Sequence, residues 1–102
     1  MNSGEIVQLT VIAQRGLKQD LVNGVAEHGG LLINTVYGRG FVKSNDFLEA
    51  FGFVNESDKI VITALTAAAN VDKIFAMLNE RFEFNKPNTG IAFTIPVNGL
   101  TR

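Results

Sequence analysis

An α+β fold built from two β-α-β units is predicted, and three observations predict it. Residues 5–13, 31–37, 58–65 and 91–97 read as short β-prone strands. Residues 16–28 and 67–84 carry their apolar side chains at helical spacing, and each stretch lies between two of those strands. The order strand-helix-strand therefore occurs twice. Two such units give the split β-α-β, or ferredoxin-like, arrangement: a four-stranded antiparallel sheet with both helices on one face.

The first strand reads EIVQLTVIA, with Val7, Leu9, Val11 and Ala13 pointing one way and Ile6, Gln8, Thr10 and Ile12 the other. This period-two pattern places one face in a core. In the first helix, Leu17, Leu21, Val22, Val25 and Ala26 form one stripe. Gly29-Gly30 follows as a stop, because glycine accepts the left-handed position after a helix. Gly24 inside the helix costs about 1 kcal/mol against alanine and marks close packing. The second strand, LLINTVY, runs into Gly38-Arg39-Gly40.

Residues 41–57 form a connecting loop with two local readings. Phe47, Leu48 and Phe51 have helical spacing, with Asn45 or Asp46 to cap and Gly52 to stop; equally, the loop returns into a strand at residues 51–54. The third strand reads DKIVITAL. Val71, Ile74, Phe75, Leu78 and Phe82 line the second helix, with Asn70 or Thr66 as its N-cap. Residues 85–90, NKPNTG, are a turn by composition. In the last strand, IAFTIPV, Pro96 cannot donate to a ladder, so the strand is expected at an edge or to end there. The helices cover one face only, and a second subunit is the simplest cover for the other.

The chain has 102 residues, read here as one domain (1–102), with 46% hydrophobic and 19% charged residues, which is a globular composition. A domain of this size buries only about two-thirds of its unfolded surface, and mean hydropathy is +0.17. Both favour association between subunits. With net charge −1, nothing suggests a nucleic-acid partner. Cysteine is absent and histidine occurs once, so a cysteine pair or multi-histidine metal site cannot form within one chain. The N-terminus has no basic and apolar leader, and the cytoplasm is the expected location.

Among functions the fold hosts, an RNA-recognition module needs exposed aromatics on a basic surface, and strands one and three offer aliphatics and threonines instead. An acylphosphatase needs a phosphate cradle, for which Gln14-Arg15-Gly16 supplies one arginine but not the rest of a glycine-rich cradle. His28 reads either as a general base or pH sensor or as a helix C-terminal residue suited to the dipole. Asp46, Glu49, Glu56 and Asp58 read as solvated loop charges. With no nucleophile-base pair, the chain is not expected to be an enzyme. Two anion-suited features remain. Gly38 and Gly40 let backbone N–H groups approach an anion that Arg39 complements. Lys86, Asn88, Thr89 and Gly90 supply a cation, polar side chains and a glycine. Each also reads as an ordinary turn.

In order, these pieces resemble the P-II family of nitrogen regulatory proteins along nearly the whole chain: EIVQLTVIA, a helix closing on glycine, a strand running into Gly38-Arg39-Gly40, a long loop, DKIVITAL, a helix, a turn and GIAFTIPV. Residues 82–97, FEFNKPNTGIAFTIPV, particularly resemble a divergent P-II-like bacterial branch found beside multi-pass membrane proteins. The resemblance implies a homotrimer with its sheets facing inward. It implies an adenine nucleotide (ATP, ADP or AMP) between subunits near Gly38, Arg39, Gly40, Lys86, Asn88, Thr89 and Gly90. It also implies a signalling loop, residues 41–57, that engages a regulated partner such as a membrane transporter, with Phe47, Leu48, Phe51 and Phe53 either docking that partner or packing on the trimer. The chain departs from the family at three points. Ile91 stands where a lysine is usual, the loop has no tyrosine to be uridylylated, and the arginine-bearing tail is reduced to Arg102. The rival reading is an amino-acid-sensing or metal-tolerance-like oligomeric module without a nucleotide site.

Overall fold

The computed structural model describes residues 5–38, 58–87 and 89–100. Within them the elements run β1 (Ile6–Gln14), α1 (Lys18–Glu27), β2 (Leu31–Gly38), β3 (Lys59–Ala67), α2 (Val71–Phe82) and β4 (Gly90–Pro96). The strands form one four-stranded sheet in the order β2-β3-β1-β4, and each neighbouring pair is antiparallel. This is the predicted ferredoxin-like arrangement.

The alternation in β1 divides the sheet as expected. Leu9, Val11 and Ala13 join Ile60, Ile62 and Ala64 of β3 beneath Leu21 and Val25 of α1 and Ile74, Met77 and Leu78 of α2, all buried. Full burial of a side chain such as Leu9 or Ile62 stabilises by about 1.5–3 kcal/mol. Gly24 lets the helices approach: a Cβ there would meet Met77 Sδ at 2.9 Å.

Helix boundaries differ from expectation at the N-termini. Both helices are entered through a single 3-10 turn, Arg15–Leu17 before α1 and Ala68–Asn70 before α2. Asn70 does stand at the N-cap position of α2, but it makes no side-chain cap bond. Its backbone is already helical (φ −90°, ψ −10°), whereas a capping side chain needs the extended region. The amide donates instead to Thr66 Oγ1 at 3.2 Å. At the other end of α1 the Gly29-Gly30 stop is as predicted. Gly29 has φ +101°, its N–H donates to the Ala26 carbonyl and that of Gly30 to the Val25 carbonyl, which is the Schellman pattern.

Pro96 ends β4, and β4 is an edge of the sheet. Val97 N–H donates to the Ile6 carbonyl. Hydrogen-bonded and non-bonded pairs alternate in an antiparallel ladder, so the main-chain groups of Gly90, Ala92, Thr94 and Pro96 point away from β1. Proline therefore sits where its missing N–H removes no ladder bond.

The sheet face away from the helices is mostly apolar, with Gln8, Thr10, Asn34 and Thr63 among its residues by register. Ile12 and Ile91 are buried there beside Val61; by register, Ile6, Leu65 and Phe93 share that face and are half-buried. Ile95 is 49% exposed and Val36 62%. At the start of β2, Leu31 and Leu32 are exposed where the pairing with β3 is irregular, and Leu32 has φ 51°.

Candidate functional site

Antiparallel pairing brings four strand ends into one row. Gly38, the last residue of β2, pairs with Lys59, the first of β3; Lys59 pairs with Gln14, and the neighbouring Ala13 pairs with Gly90, the first of β4. The residues before and after the 39–57 segment and the turn preceding β4 therefore share one end of the sheet. They are not in contact within one chain: three strand spacings separate Gly38 from Gly90, about 14 Å. Of the predicted site residues, Gly38, Lys86, Thr89 and Gly90 are placed in this way. Arg39, Gly40, Asn88 and the loop residues Phe47, Leu48, Phe51 and Phe53 lie outside the described residues, as does Arg102.

The turn after α2 is tied to itself. Glu83 takes the left-handed conformation (φ 58°) and ends the helix, turning the chain so that Phe84 N–H reaches the Leu78 carbonyl. Lys86 Nζ donates to Glu83 Oε1 at 2.6 Å, and Lys86 N–H donates to the Glu83 carbonyl at 2.9 Å. The hydrogen bond and charge of Lys86 hold the Glu83 carboxyl below its ordinary pKa, and Glu83 in turn holds the lysine above its own. The Thr89 hydroxyl lies 2.8 Å from the carbonyl oxygens of both Glu83 and Lys86 and has one proton to give them. Gly90 has a packing role: a Cβ there would collide with the Phe84 ring.

Beside this turn, α2 and the edge of β4 enclose a cleft of about 520 Å³ lined by Phe75, Leu78 and Asn79, by Phe84, and by Gly90 to Phe93. Its walls are mostly apolar, and two of its lining residues, Gly90 and Ala92, are among those whose main-chain groups point out of the sheet edge. Such a size and lining are usual for small-molecule sites.

Sequence reasoning missed the cluster at the root of the 39–57 segment. Arg15 stacks on the Tyr37 ring, with its guanidinium carbon 4.5 Å from the centroid, and Lys18 Nζ lies 5.4 Å from the same centroid. Arg15 also pairs with Asp58 at 3.5 Å, and its N–H donates to the Asp58 carbonyl at 3.4 Å. Asp58 is thus partnered and half-buried rather than a solvated loop charge. Lys59 beside it is buried, and that burial pushes its ammonium pKa down against the opposing pull of Asp58. Arg15 and Asp58 are 43 positions apart, and only the sheet register brings them together. His28 contacts the Gly24 carbonyl through Nδ1 at 2.8 Å, which suits the plainer reading of a helix C-terminal residue. Among the described residues no group of three or more acidic or histidine side chains could hold a metal ion, and no helix is long and apolar enough to cross a membrane.

No protein-family profile matches the chain, and no curated protein matches it. Solved structures do share its fold. A Thermus thermophilus protein described as a PII-like signalling protein aligns at 21% identity and TM-score 0.67, over 91% of this chain and 87% of its own. A PII-like protein of Thiomonas intermedia, bound to ADP, AMP and acetate, aligns at 19% identity and TM-score 0.67, over 93% of this chain and 90% of its own. The Bacillus subtilis GlnK–ATP complex aligns at 16% identity and TM-score 0.64, over 95% of this chain and 85% of its own. The fold is therefore that of PII-like signalling proteins.

Proposed function

We propose that the chain is a PII-like regulatory subunit rather than a catalyst. Three copies associate through the apolar sheet face. A small anionic ligand, an adenine nucleotide, binds between subunits near Gly38 to Gly40 and Lys86 to Gly90. The ligand shifts the population of conformations of residues 41–57, and that segment engages or releases a regulated protein, a membrane transporter being the partner that the resemblance suggests. A ligand acts in this way only through different affinities for the two loop states.

The observation that carries the reading is the row of strand ends. It gathers the root of the 39–57 segment and the 83–89 turn at one end of the sheet, next to a cleft of ligand size, on a fold shared with a protein bound to ADP and AMP. The apolar sheet face that the described residues leave uncovered supports the association. One observation favours the rival module without a nucleotide site: Lys86 and Thr89 already have partners within their own turn.

A thermal-shift screen against ATP, ADP, AMP, cyclic AMP, 2-oxoglutarate and amino acids tests the proposal, because a ligand of the native state raises the melting temperature by mass action. A shift with an adenine nucleotide, abolished by Arg39→Ala with Lys86→Ala, supports it. A shift with an amino acid alone, or with none of these, refutes the nucleotide site.

A further inference from the structure

Asparagine is followed by glycine twice in this chain, at Asn23-Gly24 and at Asn98-Gly99. The two pairs are chemically the same and both asparagines are exposed; only the main chain around them differs. We infer that Asn98 is a site of spontaneous covalent modification in the folded protein. Its amide converts to a carboxylate through ring closure on the Gly99 nitrogen, and Asn23 is held out of the same reaction by its helix.

The reaction needs the main-chain nitrogen of the following residue to reach the asparagine Cγ. That nitrogen gives its proton to hydroxide and bonds to Cγ. The bond from Cγ to Nδ2 then breaks, the departing nitrogen takes a proton from water, and ammonia leaves. A five-membered succinimide remains. Water adds to one of its two carbonyls. Addition at the side-chain carbonyl restores the ordinary main chain with an aspartate; addition at the main-chain carbonyl leaves the chain running through Cβ as isoaspartate. In sum, a water is taken up and an ammonia is lost, and nothing is oxidised or reduced. Glycine as the second residue favours closure, because it has no Cβ to obstruct the approach and its backbone turns freely.

At Asn98 the surroundings leave that approach open. Val97 N–H makes the last link of this segment to β1, at 3.0 Å from the Ile6 carbonyl. Residues 98–100 are exposed and belong to no helix or strand. A Cβ on Gly99 would meet nothing within 4 Å, so the space around its nitrogen is free. Among the described residues no hydrogen bond holds the Asn98 side chain.

At Asn23 the helix opposes each of these steps. The pair lies inside α1, where ψ is about −42° and must rotate away before the ring can close. Helical pairing directs the Gly24 N–H to the Asp20 carbonyl. Gly24 is buried, and Met77 Sδ would stand 2.9 Å from a Cβ there. Gln19 Nε2 donates to Asn23 Oδ1 at 3.1 Å. Ring closure at Asn23 therefore waits for α1 to open.

Each conversion at position 98 adds one negative charge to a chain of formal net charge −1. The Val97 anchor lies upstream, so the extra main-chain carbon of isoaspartate falls outside the sheet.

Ageing the intact chain at neutral pH and physiological temperature tests this, with isoelectric focusing to read the charge and peptide mapping by mass spectrometry to locate it. The expected result is an acidic shift of one charge, mapped to Asn98, with Asn23 still an amide and the unfolding midpoint unchanged. The aged protein should accept a labelled methyl group from an isoaspartyl carboxyl methyltransferase at that position. In urea, where α1 is gone, both pairs should convert. Gly99→Ala, which the open space tolerates, should slow the shift in the folded chain. An amide that persists at Asn98 in the folded chain while it is lost in urea overturns the inference. Equal conversion of Asn23 and Asn98 in the folded chain overturns it too, as does a Gly99→Ala variant that converts as fast as wild type.

Discussion

Thr66 Oγ1 donates to the Gly29 carbonyl oxygen at 3.1 Å, across 37 residues of sequence. The same hydroxyl oxygen accepts from Asn70 Nδ2 at 3.2 Å. One buried hydroxyl thus joins the turn after α1, the end of β3 and the entry to α2. Thr66→Val keeps the shape and deletes both bonds, leaving the Gly29 carbonyl and the Asn70 amide short of a partner. The expected cost is about 1–3 kcal/mol, and Thr66→Ser should recover most of it. Denaturant unfolding at one fixed protein concentration measures both.

Gly90 is packed under Phe84, and Gly90→Ala must push that ring aside. The ring lines the cleft, so two readouts should move together. Stability falls by about 1–3 kcal/mol, as for other overpacked sites, and occupancy of the cleft by a small apolar probe changes. Gly24→Ala makes an instructive comparison. Its new Cβ meets the flexible end of Met77, and alanine gains about 1 kcal/mol of helix propensity, so that variant should lie close to wild type.

Lys59 gives a pH dependence with an unusual sign. Burial lowers its pKa below the ordinary 10.5, so the folded chain releases this proton at lower pH than the unfolded one. Between the folded pKa and 10.5 the unfolded chain holds more protons, and stability from this group rises with pH. Below the folded pKa the penalty for the buried charge is present in full. Comparing unfolding midpoints of wild type and Lys59→Met from about pH 8 upward checks the sign: the difference between them should change in wild type's favour as pH rises. A flat difference would exclude the linkage.

Ile95 is half-exposed on the sheet face away from the helices, so Ile95→Asp adds a charge to a face that the described residues leave open. In the proposed trimer that charge is buried without a partner. Analytical ultracentrifugation should find wild type as a trimer and the variant as a monomer with an intact circular-dichroism spectrum. A monomeric wild type would refute the association.

Much of the fold is legible because the signals are local. The alternation along β1, the stripe on α2 and the Gly29-Gly30 stop each need only a few neighbouring residues, and each specifies one structure. The 3-10 entry to α2 escaped because Ala68 and Ala69 favour helix intrinsically, while the pairing of Ala67 with Ile6 extends β3 and delays α2. The positive φ of Leu32 leaves no trace in the sequence, since leucine does not advertise a bulge. The site was harder still. The packing of Gly90 under the Phe84 ring leaves no mark on the composition of the turn, and Asp58 reads as a loop charge until the register brings Arg15 beside it. Such pairs depend on tertiary neighbours that no sequence window contains.

The facing of Gly38 and Lys59 across one strand spacing has an evolutionary consequence. Whatever chain joins those strands begins and ends at points fixed by the ladder, so the sheet bears only the entropy of closing a loop. Each doubling of that loop costs about 0.6 kcal/mol. Insertions, deletions and wholesale exchange between residues 38 and 58 are therefore cheap for the scaffold, and that stretch of sequence can be rewritten without redesigning the sheet that carries it.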